Sequence, residues 1–218
     1  MDTNAQVILV LKLALNIAPP ALYFVILGLV NSQFRPSLIT SRRDWLALMV
    51  VFFPVMLYPA LWLATSGYVP AGAIVLLLGA AGVYLTLPKF DSGWVVYNCS
   101  RADVVRSLLA AMDDIGIDYD LRDDDRIYLP ASDIELELSG LPILRNTTIT
   151  ILSKGVTSEV VEQIEISLRQ RLEGIECAMN PSGPAMLLGG TAMLVLPLLM
   201  MVHHMDAFVR VVSDFLPF

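Results

Sequence analysis

Charge is what this chain of 218 residues has least of: Asp, Glu, Lys and Arg make up 16% of it, against about 25% in an ordinary soluble protein. With 56% hydrophobic residues and a mean hydropathy of +0.67, that shortfall excludes an ordinary water-soluble protein and points to a membrane protein. Cysteine is nearly missing as well. The only two, Cys99 and Cys177, are too few for the disulfide framework of a small secreted domain and are read as reduced, buried thiols. The N-terminus, Met-Asp-Thr-Asn-Ala-Gln, lacks both a basic stretch and a cleavage site before the first apolar run. That run is therefore expected to stay as an anchor rather than leave as a signal peptide.

Chemical signatures are lacking too. The sequence contains no phosphate-cradling glycine loop, nucleophile elbow, dinucleotide fingerprint or zinc ligand set, so the expectation is a protein that is not an enzyme and takes no cofactor. Asp123, Asp124 and Asp125 lack the central glycine and twelfth-position glutamate of a calcium loop and read as a solvated turn. His203 and His204 are adjacent, so on a helix they diverge by about 100° and cannot share one metal ion. The net charge is −7, with nearly all the acidic residues between Asp91 and Glu176. Such a surface repels phosphate backbones, and no nucleic-acid partner is expected.

What the chain does have is long apolar runs. A hydrocarbon core of about 30 Å takes about 20 helical residues, and four segments meet that length: 7–30, 45–66, 69–88 and 184–204. Residues 1–89 thus hold three transmembrane helices and 184–204 a fourth. Arg35, Arg42 and Arg43 crowd the loop between the first two spans, whereas Thr65 to Tyr68 carries no basic residue. By the bias of Lys and Arg toward the cytoplasm, this predicts a multi-pass protein of the cell (inner) membrane with both termini outside and residues 90–183 cytoplasmic.

Three features inside the spans could carry function. Lys12 is the only full charge within a span, with Asn16 one turn further in. A buried lysine costs about 2.5–3.5 kcal/mol on insertion scales and marks functional sites by default, although one this near an end can snorkel to the headgroups. Asp206 leaves the fourth span on the same predicted side, which makes a Lys12–Asp206 contact the candidate intramembrane pair. Pro19, Pro20, Pro54, Pro59 and Pro197 each remove a backbone hydrogen bond and are candidate hinges or kinks. Gly79 to Gly82, and Ala185 with Gly189, offer small faces for close helix packing.

Between the third and fourth spans the pattern changes to short alternating runs. Trp94 to Tyr97 reads as a strand. Ser100 then caps a helix that ends at Gly116, with Val105, Leu108, Leu109, Met112 and Ile115 along one stripe. Asp118–Arg122 and Arg126–Leu129 read as a hairpin, and Ile134, Leu136 and Leu138 alternate with acids in a half-buried strand. Thr147–Leu152 is another strand. Ser158 to Glu173 is a second amphipathic helix, with Val161, Ile164, Leu168, Leu172 and Ile175 inward, and a short last strand is expected at Ile175–Met179. The fold class this implies is a membrane α-helical protein with an inserted α+β domain, two helices on one face of a mostly antiparallel sheet, ferredoxin-like or related. The tail 205–218 has apolar and charged residues on opposite sides of a helix suited to the membrane interface.

The function expected is a non-catalytic integral membrane subunit or scaffold of a larger complex, its cytoplasmic domain docking a partner. The alternative is a transporter or channel component with a regulatory domain. The partners expected are the lipid bilayer and other membrane or cytoplasmic protein subunits.

Overall fold

The computed structural model describes residues 3–89, 92–123, 125–141, 145–153, 158–177, 181–203, 205, 206 and 209; the side chains of residues 3–12, 15, 153 and 158 lie outside that description. In chain order the elements are α1 (Thr3–Asn31), β1 (Ser37–Thr40), α2 (Ser41–Thr65), α3 (Val69–Thr86), β2 (Gly93–Tyr97) and α4 (Arg101–Asp114). They are followed by β3 (Asp120–Asp123), β4 (Arg126–Leu129), β5 (Ile134–Leu141), β6 (Asn146–Ser153), α5 (Ser158–Glu173) and α6 (Ser182–His203). These divide into a helical unit (Met1–Leu27, Leu48–Thr86, Ala185–Phe218) and a sheet unit (Gly28–Ala47, Leu87–Pro184).

In the helical unit, α2, α3 and α6 are long and apolar enough to cross a membrane. The apolar part of α1 among the described side chains is Asn16–Asn31. Glycines set the close approaches. A Cβ on Gly72 of α3 would lie 2.6 Å from the Ala60 carbonyl oxygen of α2, and one on Gly190 of α6 would lie 2.7 Å from the Ala21 carbonyl oxygen of α1. Among the described residues, a Cβ on Gly82 or Gly189 would meet nothing within 4 Å, and one on Gly79 would meet the end of the Met56 side chain at 3.3 Å.

The sheet unit is built on six antiparallel strands in the order β1-β2-β6-β5-β4-β3. Alternation in β5 sends Ile134, Leu136 and Leu138 to one face. Ile127, Leu129, Ile149, Trp94 and Val96 join them there, under Val104, Leu108, Ala111 and Met112 of α4 and Val161, Ile164, Leu168 and Leu172 of α5. Both helices therefore cover the same face. Fully burying one such aliphatic side chain is worth about 1.5–3 kcal/mol.

Helix α4 starts where Ser100 accepts the Asp103 amide at 3.2 Å. It ends as Gly116, at φ +68, lets the Ile117 amide reach the Met112 carbonyl at 3.0 Å. Its buried stripe runs through Val104, Ser107, Leu108, Ala111 and Met112, rotated from the expected one, so that Val105, Leu109 and Ile115 are only partly buried. A Cβ on Gly93 would sit 1.9 Å from the Ile149 carbonyl oxygen, so β2 can pair with β6 only because that position is glycine.

The four strands expected between the two helices are present between α4 and α5, two more than the ferredoxin-like βαββαβ order has. One expectation changes. Ile175–Cys177 forms no strand, although the Cys177 amide donates to the Phe34 carbonyl at 3.0 Å; Ala178 and Met179 lie outside the described residues. The sheet is completed instead by β1, from the loop between α1 and α2. Its register, Ser37↔Tyr97, Leu38↔Val96, Ile39↔Val95 and Thr40↔Trp94, makes that loop part of the sheet unit.

Candidate functional site

The residues singled out in the helices come first. Lys12 lies in α1 with its side chain outside the described residues, and so does the expected Lys12–Asp206 contact. Asn16 and Asp206 are both exposed. Helix α1 is continuous through Pro19 and Pro20, α2 through Pro54 and Pro59, and α6 through Pro197, so no helix breaks at these prolines. Pro19 and Pro197 are buried, while Pro54 and Pro59 are exposed. Of the tail, only Met205, Asp206 and Val209 are described.

The sheet unit offers two surfaces with distinct chemistry. The first is the corner where β1 joins β2. Val95 and Tyr97 point to the face of β2 away from α4 and α5, yet they are only 5% and 4% exposed. The Tyr97 hydroxyl donates to the Asp44 carboxylate in the first turn of α2 at 2.7 Å. Ser41 and Asp44 stand three apart at the start of α2, the spacing of a capping pair, but the Ser41 hydroxyl is buried with no hydrogen-bond partner among the described residues, and the Asp44 carboxylate accepts from Tyr97 instead. Asn98, fully buried at φ +58, donates its amide to the Gln33 carbonyl. Thus the ends of α1, β1 and the start of α2 are bound to β2 by a ladder and by side-chain bonds.

The second surface is the rest of that face, which neither α4 nor α5 covers. Register puts Asp120, Arg126, Tyr128, Glu135, Glu137 and Thr150 on it. Arg126 lies between Glu135 and Glu137 at 3.5 Å from each, and the Arg122 guanidinium stacks 3.9 Å from the centre of the Tyr128 ring. Tyr128 also donates to Asp133 at 3.0 Å, which raises its phenol pKa above the ordinary value. An open groove of about 1100 Å³ runs along the β3–β4 edge past Leu121, Arg122, Asp123, Asp125, Arg126 and Glu137 and reaches Val105 of α4 on the helix side. Leu121 is 61% exposed there. On the helix side, Asp125 pairs with Arg101 at the start of α4. Ion pairs this exposed are individually worth at most about 1 kcal/mol, so they shape the surface more than they stabilise it.

Among the described residues, no three His, Cys, Asp or Glu side chains converge on a point that could hold a metal ion. Asp123 is exposed, and Asp124 lies outside the described residues. A smaller pocket of about 190 Å³, lined by Cys99, Ser100, Arg101, Gly140, Arg145 and Asn146, opens beside the start of α4. The sequence reading missed Tyr97, Asp44, Asn98 and Gln33 as partners. The one available signal was the short run Leu38-Ile39-Thr40 after Pro36, whose β-branched residues suit a strand.

These features define a class: an α+β protein with three apolar helices able to cross a membrane and a separate antiparallel sheet domain. In comparisons with known proteins the chain matches no family model, no curated protein and no solved structure.

Proposed function

We propose that this protein is a non-catalytic, multi-pass scaffold of the cell membrane whose sheet domain docks a basic surface of another polypeptide on the cytoplasmic side. In this reading α1 is a first span beside α2, α3 and α6, both termini are outside, and the sheet domain lies on the side of Arg35, Arg42 and Arg43. The pairing of β1 with β2 supports a common side for that loop and the domain. The single observation that carries the docking role is the sheet face left bare by α4 and α5, on which Asp120, Glu135 and Glu137 outnumber Arg126 and the Arg122 guanidinium over Tyr128. The excess of acids over bases across the chain, 21 to 14, is concentrated in this domain and favours a basic partner. A charged surface of this kind steers association and selects partners more than it adds affinity.

The test compares complexes purified from native membranes in mild detergent with those of an E135K/E137K variant. The expected result is a partner recovered in fixed proportion with the wild type, lost at high ionic strength and lost in the variant while its sheet domain stays protease-resistant. Recovery of the wild-type chain alone and monodisperse, or of the same partner with both proteins, overturns the proposal.

A further inference from the structure

The only two cysteines of the chain lie far apart in sequence, Cys99 between β2 and α4 and Cys177 between α5 and α6, and the fold brings them together. Two successive residues of the α1–β1 loop hold both segments. The Gln33 carbonyl accepts from the side chain of Asn98, and the Phe34 carbonyl accepts from the backbone amide of Cys177 at 3.0 Å. Cys99 is part of the hydrophobic core of the sheet unit and Cys177 packs against it. The two thiols are near enough for each to perturb the acidity of the other.

Their environments differ in a useful way. Cys99 is 1% exposed, whereas Cys177 is partly open to solvent. Burial pushes the Cys99 thiol up to about 12, helped by the neighbouring Cys177 and by Asp103, and burial also raises Cys177. At neutral pH both are therefore thiols. The nucleophile in thiol exchange is the thiolate, so the pair is unreactive unless an oxidant reaches its accessible member.

We propose that Cys99 and Cys177 form a dithiol–disulfide pair that locks the segment leading into α6 onto the β2–α4 corner. The oxidant is a small-molecule disulfide of the glutathione type. The Cys177 thiolate attacks one of its sulfurs, forming a mixed disulfide and releasing one small thiol, which takes up the proton Cys177 gave up. Cys99, losing its proton in turn, attacks the Cys177 sulfur and expels the second small thiol. Two protein S–H bonds and one external S–S bond are broken. One protein S–S bond and two small-molecule S–H bonds are formed. The protein is oxidised, the external disulfide reduced, and a reducing thiol reverses the step.

The experiment uses the full chain in mild detergent, incubated with oxidised glutathione, then denatured and labelled with a maleimide that adds mass to each free thiol. The expected wild-type result is loss of both labels, an intact mass lower by two hydrogens, and recovery of both labels after reduction. The C99S variant should carry one glutathione on Cys177, and the C177S variant should keep its thiol unmodified. Because the wild-type protein is itself the test, no variant has to fold for it to fail. Wild-type protein that retains both labels, or that carries glutathione on Cys177 without closing the intramolecular bond, overturns the proposal.

Discussion

Leu108 and Leu168 show what a single residue does in this fold. Both are fully buried between the sheet and the α4–α5 pair, where truncation removes transfer energy and leaves a cavity. Leu108→Ala or Leu168→Ala should each cost the sheet domain about 2–5 kcal/mol, read as a lower denaturant midpoint for proteolytic resistance. Ile166→Ala, on the exposed side of α5 at 51% exposure, should shift that midpoint by no more than about 0.5 kcal/mol. Between the same helices Arg171 grips Asp114 through two nitrogens, at 2.7 and 2.5 Å. That hydrogen bond holds the Asp114 carboxyl below the usual carboxylate range. A carboxyl depressed in the folded state contributes stability above its unfolded pKa and loses it as pH falls through its folded pKa. Stability should therefore drop on acidification below about pH 4. Asp114→Asn should remove part of that acid-dependent drop; equal acid profiles for variant and wild type would exclude the contribution.

At the level of elements, β1 and the glycine crossings decide most. Ile39 and Val95 are directly paired in the β1–β2 ladder. An I39C/V95C variant, in a background with Cys99 and Cys177 replaced by serine, should form a cross-link under mild oxidation. An I39C/T150C variant, whose second position lies beyond β2 on β6, should not. In the helical unit, Gly190→Leu should disrupt the approach of α6 to the Ala21 carbonyl and lower thermal stability in detergent, whereas Gly189→Leu, which meets open space, should be tolerated. Helices α1, α2 and α6 run on through Pro19, Pro20, Pro54, Pro59 and Pro197. A proline lacks an N–H and crowds the preceding turn, so a kink at any of these positions is compatible with that continuity.

For the whole molecule, the composition of the sheet unit is the main constraint. Residues 28–47 and 87–184 form one unit, which supports a common side of the membrane for the α1–α2 loop and the inserted domain in the proposed topology. Cysteines introduced at Phe34, 70% exposed, and at Ile166 should both label with a membrane-impermeant maleimide from the same side of sealed vesicles. Labelling from opposite sides would contradict the pairing of β1 with β2 in the membrane. If the arginine-rich loop sets orientation, that side is the cytoplasm.

Local order settled a good deal without any tertiary information. Ile134, Leu136 and Leu138 alternate with acids, and Val161, Ile164, Leu168 and Leu172 recur at helical spacing; each pattern leaves only one face to bury. The Ser100 cap and the Gly116 stop were equally legible, because capping is chemistry between near neighbours. Apolar length alone marked α2, α3 and α6. Tertiary structure decided what depends on residues distant in the chain. A four-residue strand such as β1 has too few positions to show a period, and its existence rests on the edge that β2 offers it. The uncovered sheet face required the strand order to be known. The scarcity of charge and the apolar runs marked helices able to cross a membrane from sequence alone, since hydropathy sums over single residues. The meeting of its two scarce cysteines required the folded chain, since contact between distant residues is a property of topology.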